Sequence, residues 1–85
     1  MKYVEIYTGP LCAHCDRAKA LLNKKGVSFK EINLASDPNK IDEMIKKTNG
    51  MRTVPQIFID GQHIGGSDKL HDLENDGKLN SLLGV

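Results

Sequence analysis

Val4-Glu5-Ile6-Tyr7-Thr8, then Gly9-Pro10-Leu11, then Cys12-Ala13-His14-Cys15-Asp16-Arg17-Ala18-Lys19-Ala20-Leu21-Leu22, reads as a strand, a break and a helix that opens on a cysteine pair. Val4 and Ile6 alternate with Glu5 in a segment from about Lys2 to Tyr7, the period of a strand with two unlike faces. From Ala13 to Lys25 the period changes: Cys15, Ala18, Leu21 and Leu22 recur at helical spacing, with Asp16, Arg17, Lys24 and Lys25 left for solvent. Gly26 supplies the stop.

Outward from this unit, Val27 to Leu34 carries Val27, Phe29, Ile32 and Leu34 in imperfect alternation and reads as a second strand. The intervening helix implies that it pairs parallel to the first. Asp37 followed by Pro38 predicts an N-cap and a first helical residue, with Ile41, Met44 and Ile45 on one face and an end near Asn49-Gly50. Gln56-Ile57-Phe58-Ile59, Asp60-Gly61 and Gln62-His63-Ile64 read as a hairpin with a two-residue turn. Ser67 or Asp68 then caps a helix carrying Leu70 and Leu73, which Gly77 ends before a tail containing Leu79, Leu82 and Leu83. The order strand, helix, strand, helix, strand, strand, helix predicts an α/β protein of thioredoxin-like architecture: a four-stranded mixed sheet flanked by helices on both faces.

With 85 residues, one domain spanning 1–85 is expected, because a core of this size does not divide into two. Twelve Lys and Arg against eleven Asp and Glu leave a net charge of +1, too little to draw nucleic acid or an anionic membrane. The N-terminal residues turn polar too soon for a signal peptide and no apolar run is long enough to span a bilayer, so a cytoplasmic monomer is expected. Two cysteines are too few for a disulfide-stapled secreted scaffold, which leaves redox or metal chemistry for the pair.

At a strand-to-helix junction, Cys12 falls at or beside the N-cap and Cys15 one turn later, so the two sulfurs are able to meet. Free N–H groups and the positive end of the helix dipole stabilise a thiolate at Cys12, which makes it the nucleophile. Cys15, deeper and on the apolar side, becomes the resolving thiol. His14 lies between them: an imidazolium would favour the thiolate, whereas the same helix end resists charge on the ring. His63 and His71 read as surface residues. Structural zinc needs four ligands and there is no second cysteine pair, so no metal site is assigned. A carrier of a soft monovalent ion is the rival from another class, but it predicts a hairpin directly after the first helix. Here a strand and another helix intervene.

Val4-Glu5-Ile6-Tyr7-Thr8, Cys12-Ala13-His14-Cys15, Thr53-Val54-Pro55-Gln56-Ile57-Phe58-Ile59 and Gly65-Gly66-Ser67-Asp68 together resemble the glutaredoxin family over essentially the whole chain, and its small bacterial dithiol class most. The resemblance implies a cis peptide before Pro55 facing the active cysteine, and a Val54 backbone that pairs with the cysteinyl part of glutathione. It further implies that the backbone at Ser67 and Asp68 receives the γ-glutamyl carboxylate and that the Asp68 side chain meets the neighbouring ammonium group. Catalytic Cys12 and Cys15 and a glutathione-binding set of Cys12, His14, Arg52, Thr53, Val54, Pro55, Gly66, Ser67 and Asp68 follow. Glutathione is then a co-substrate, with no tightly bound cofactor, and the other partners are disulfide-containing or glutathionylated proteins. Two departures stand out. Ala13-His14 replaces the family's usual Pro-Tyr, and Gly9 replaces a lysine common shortly before the first cysteine, for which Arg52 or Lys47 is the candidate substitute. A redoxin reduced by a flavoprotein reductase and a glutathione-ligated iron–sulfur dimer remain alternative readings of the same pair.

Overall fold

Alternation about Glu5 produces strand β1 (Val4–Thr8) in the computed structural model, which describes residues 2–85. Helix α1 (Ala13–Lys24) follows, and its end is a closed motif: Gly26, at φ 71, donates its N–H to Asn23 and Val27 donates to Leu22. That closure shortens the predicted second strand. Val27 belongs to the helix ending, and β2 (Lys30–Asn33) begins where the parallel ladder opens at Glu5↔Lys30. Helix α2 (Lys40–Lys47) also starts later than the Asp37-Pro38 signal predicts. The carbonyls of Asp37 and Pro38 accept from the N–H groups of Lys40 and Ile41, so those residues form a tight lead-in turn and Asn39 takes the cap position.

The hairpin stands where the Asp60-Gly61 signal put it. Strands β3 (Gln56–Ile59) and β4 (Gln62–Gly65) are joined by two residues with positive φ, 51° and 82°, the backbone that this turn requires. The sheet order is β2-β1-β3-β4, with β1 parallel to β2 and antiparallel to β3. Gly66, not Ser67 or Asp68, caps helix α3 (Ser67–Asn75), because its carbonyl accepts the first helical bond, from Leu70. The predicted tail is a short helix, α4 (Leu79–Leu83), since Leu79 and Leu83 are one turn apart and both fully buried.

One face of the sheet, through Val4, Ile6, Ile57 and Ile59, packs on Ala18 and Leu22 of α1 and on Leu70, Leu79 and Leu83 of the last two helices. The other face places Tyr7, Ile32 and Phe58 against Met44 of α2. Helices therefore cover both faces of a four-stranded mixed sheet, which leaves the C-terminal end of β1 and the entry to β3 as the place where loops meet. Among the described residues no helix is long and apolar enough to cross a membrane.

Candidate active site

Cys12 is the N-cap of α1, in extended backbone at φ −110° and ψ 102°, and its sulfur accepts the Cys15 N–H at 3.1 Å. A cap residue normally satisfies an orphan amide with oxygen; here sulfur does so, which places its charge-bearing form against the positive helix end. Cys15, only 2% exposed, is the opposite case. Burial, followed by the hydrogen bond and the charge of Cys12, pushes its thiol up from 9.0 to about 11, against a weaker pull from a Gly9 backbone hydrogen bond. The pair thus consists of a half-exposed sulfur at the helix start and a buried, protonated one behind it.

This asymmetry has a stability consequence. The folded chain holds the Cys15 proton more tightly than the unfolded chain does, so stability is unaffected by this group below about pH 9 and falls as pH rises from there to about 11. The loss is expected to reach roughly 2 kcal/mol. Chemical denaturation from pH 8 to 11 checks it: Cys15→Ala should lack this part of the decline and retain only that of other groups, such as Tyr7, whose hydroxyl is also raised by burial and by Glu43.

The facing wall is the segment between α2 and β3. Thr48 anchors its start, donating its hydroxyl to Met44 and accepting the Met51 N–H at 3.1 Å. The Val54–Pro55 peptide is cis, as the resemblance implies. Val54 precedes the ladder, which reaches only to Tyr7↔Gln56, and its carbonyl stands 3.9 Å from the Cys12 sulfur. On the same side, a Cβ at Gly9 would stand 3.2 Å from Val54 Cγ2, so a side chain there would need that methyl to give by a few tenths of an ångström. A lysine at position 9 would press on the same wall.

A cavity of about 510 Å³ brings together His14, Thr53, Val54, Pro55, Ser67 and Asp68, with Gly66 passing close to the Pro55 carbonyl; Cys12 is outside its lining and adjoins it through Val54. Ser67 is buried at the first turn of α3, and Asp68 and His14 are exposed. Arg52 is exposed and outside the lining. Lys47 is occupied elsewhere, 3.5 Å from Glu5, 3.1 Å from the Tyr7 hydroxyl and 4.4 Å above the Phe58 ring. A slightly larger depression, about 540 Å³ between β2 and α2, is lined by charged residues such as Lys30, Glu31, Lys40 and Glu43 and includes none of the residues around Val54. Gln56 and His63 also border the cavity beside Val54, which the sequence pattern did not signal. Neither His63 nor His71 is a plain surface residue: His63 bonds Gln56, and His71 Nδ1 lies 2.8 Å from the Ser67 carbonyl. The available signal was alternation, which puts His63 on the same sheet face as Phe58, its ladder partner.

A glutaredoxin family model matches residues 4–64. Glutaredoxin 3 of Escherichia coli is 55% identical over 83 residues, which cover 98% of this chain and 99% of that protein. Among solved structures, a glutaredoxin from Brucella melitensis superposes with a TM-score of 0.83 at 51% identity, covering 98% of this chain and 89% of its own. A buckwheat glutaredoxin–glutathione complex superposes with a TM-score of 0.86 at 34% identity, covering 98% and 77%.

Proposed function

Because the chain belongs to the glutaredoxin family and is a thiol–disulfide oxidoreductase, we propose that its reductant is glutathione and that it reduces glutathione mixed disulfides and protein disulfides through Cys12. The observation that carries this reading is the sulfur of a helix N-cap 3.9 Å from the carbonyl of the unladdered Val54, itself a lining residue of a cavity that ends on the start of α3. Glutathione has matching parts. Its cysteinyl unit is a one-residue strand for Val54, its γ-glutamyl carboxylate suits the free N–H groups at Ser67 and Asp68, and its ammonium suits the Asp68 carboxylate. Thr53, Pro55, Gly66 and His14 complete the walls. Arg52, next to Thr53 and outside the lining, meets the glycine carboxylate from the rim.

The Cys12 thiolate attacks the glutathione sulfur of a mixed disulfide, forming a Cys12–glutathione disulfide and releasing the other thiolate, which takes a proton from solvent. A second glutathione thiolate then attacks the bound glutathione sulfur, forming oxidised glutathione and freeing Cys12. With a protein disulfide, Cys12 forms the mixed disulfide and the Cys15 thiolate displaces the substrate. The resulting Cys12–Cys15 disulfide takes two electrons from two glutathiones. The test is a comparison of electron donors on a small glutathione mixed disulfide: saturable turnover with glutathione and glutathione reductase is expected, and turnover only with a thioredoxin reductase system would overturn the reading.

A further inference from the structure

Gln56 opens β3 and is 1% exposed, yet its amide has no part in the exchange steps. Its Nε2 donates to the Thr53 carbonyl at 3.0 Å and to Thr53 Oγ1 at 3.2 Å, and its Oε1 lies 2.7 Å from His63 Nε2. Chemistry sets the direction of this chain. A carbonyl only accepts, so the amide nitrogen faces Thr53 and the amide oxygen faces His63; that oxygen also only accepts, so His63 Nε2 carries a proton. His63 is itself braced, opposite Phe58 in the β3–β4 ladder, with its ring 5.0 Å from that buried ring and tilted by 31°.

Thr53 and Val54 lie outside the sheet ladder, and Thr48 holds only the far end of their segment, at Met51. The hairpin therefore reaches Thr53 through Gln56. The Cys12 sulfur is held separately, by the Cys15 N–H at the start of α1.

We propose that His63 and Gln56 are positioning residues: the bond from His63 Nε2 to Gln56, and from Gln56 to Thr53, holds the Thr53–Val54 backbone where a glutathionyl group docks. The pair sets affinity for glutathione-containing substrates and leaves the intrinsic rate of sulfur exchange unchanged. This inference rests on the glutathione reading above.

The probe is the mixed disulfide of glutathione with 2-mercaptoethanol, assayed alongside an aromatic disulfide without glutathione that is reduced by the dithiothreitol-maintained protein. His63→Phe keeps a ring on Phe58 and removes the donor, Gln56→Leu keeps bulk and removes the amide, and His63→Gln returns an N–H donor near the lost one. His63→Phe and Gln56→Leu are expected to raise KM for the glutathione probe roughly five-fold, the scale of one net hydrogen bond. Their kcat values and their rates on the aromatic disulfide should stay within about two-fold of wild type, and His63→Gln should restore KM. If Gln56→Leu fails to fold, the two His63 variants decide the matter. An unchanged KM in His63→Phe, equal losses on both substrates, or a His63→Gln that behaves like His63→Phe would overturn the inference alone. A wild type without saturable use of the glutathione probe would overturn the glutathione reading, and this inference with it.

Discussion

Cys12→Ser is expected to lose thiol–disulfide exchange by at least about a thousand-fold, on glutathione mixed disulfides and protein disulfides alike, the scale on which removal of a nucleophile is felt. A serine hydroxyl at the N-cap would still accept the Cys15 N–H, so the helix start and the fold should survive. It would not form the mixed disulfide on which every later step depends. Circular dichroism establishes the fold, and trapping with a radiolabelled or mass-tagged glutathione disulfide reads the covalent intermediate. A Cys12→Ser protein that retained deglutathionylation would show that Cys12 is not the nucleophile.

Cys15→Ser is expected to separate the two reactions. Reduction of a protein disulfide should fall by roughly a hundred-fold or more, because the mixed disulfide formed on Cys12 has lost its internal attacker. Deglutathionylation should continue within about three-fold of wild type, since a second glutathione replaces the resolving step. The structure gives a reason why Cys15 waits its turn. Its thiol is raised to about 11 first by burial and then by the hydrogen bond and the charge of Cys12, and that charge is lost once the Cys12 sulfur is bound in a disulfide. The resolving thiol thus becomes more acidic at the step that uses it. Mass spectrometry of the mixed disulfide in the two proteins checks this: it should accumulate with Cys15→Ser and pass to the internal disulfide in wild type. Equal protein-disulfide reduction by both would remove Cys15 from the mechanism.

Much of this was legible from local pattern. The Cys12 cap, the helical period through Leu22, the Gly26 stop and the Asp60-Gly61 hairpin each depend on residues a few positions apart, and each stands in the structure. The misreadings arose where a neighbouring element competed for the same backbone. Val27 was drawn into the ending of α1 and lost to β2, Asp37-Pro38 became a turn ahead of α2, and Gly66 supplied the carbonyl that starts α3. Leu79 and Leu83 looked like a tail because five residues carry little helical signal; burial against the core decides their conformation.

The strand, break and helix around Cys12-Ala13-His14-Cys15 determined by themselves that one sulfur would lie at a helix start and the other one turn behind it, because capping and helical period are short-range properties of the chain. Only the tertiary structure decided what that sulfur faces. Val54 is 42 residues from Cys12, and its carbonyl comes within 3.9 Å of that sulfur only because the sheet brings the entry to β3 beside the end of β1. The acidity of Cys15 has the same origin, for it follows from how completely the packed core removes water from a thiol that composition and spacing leave undetermined.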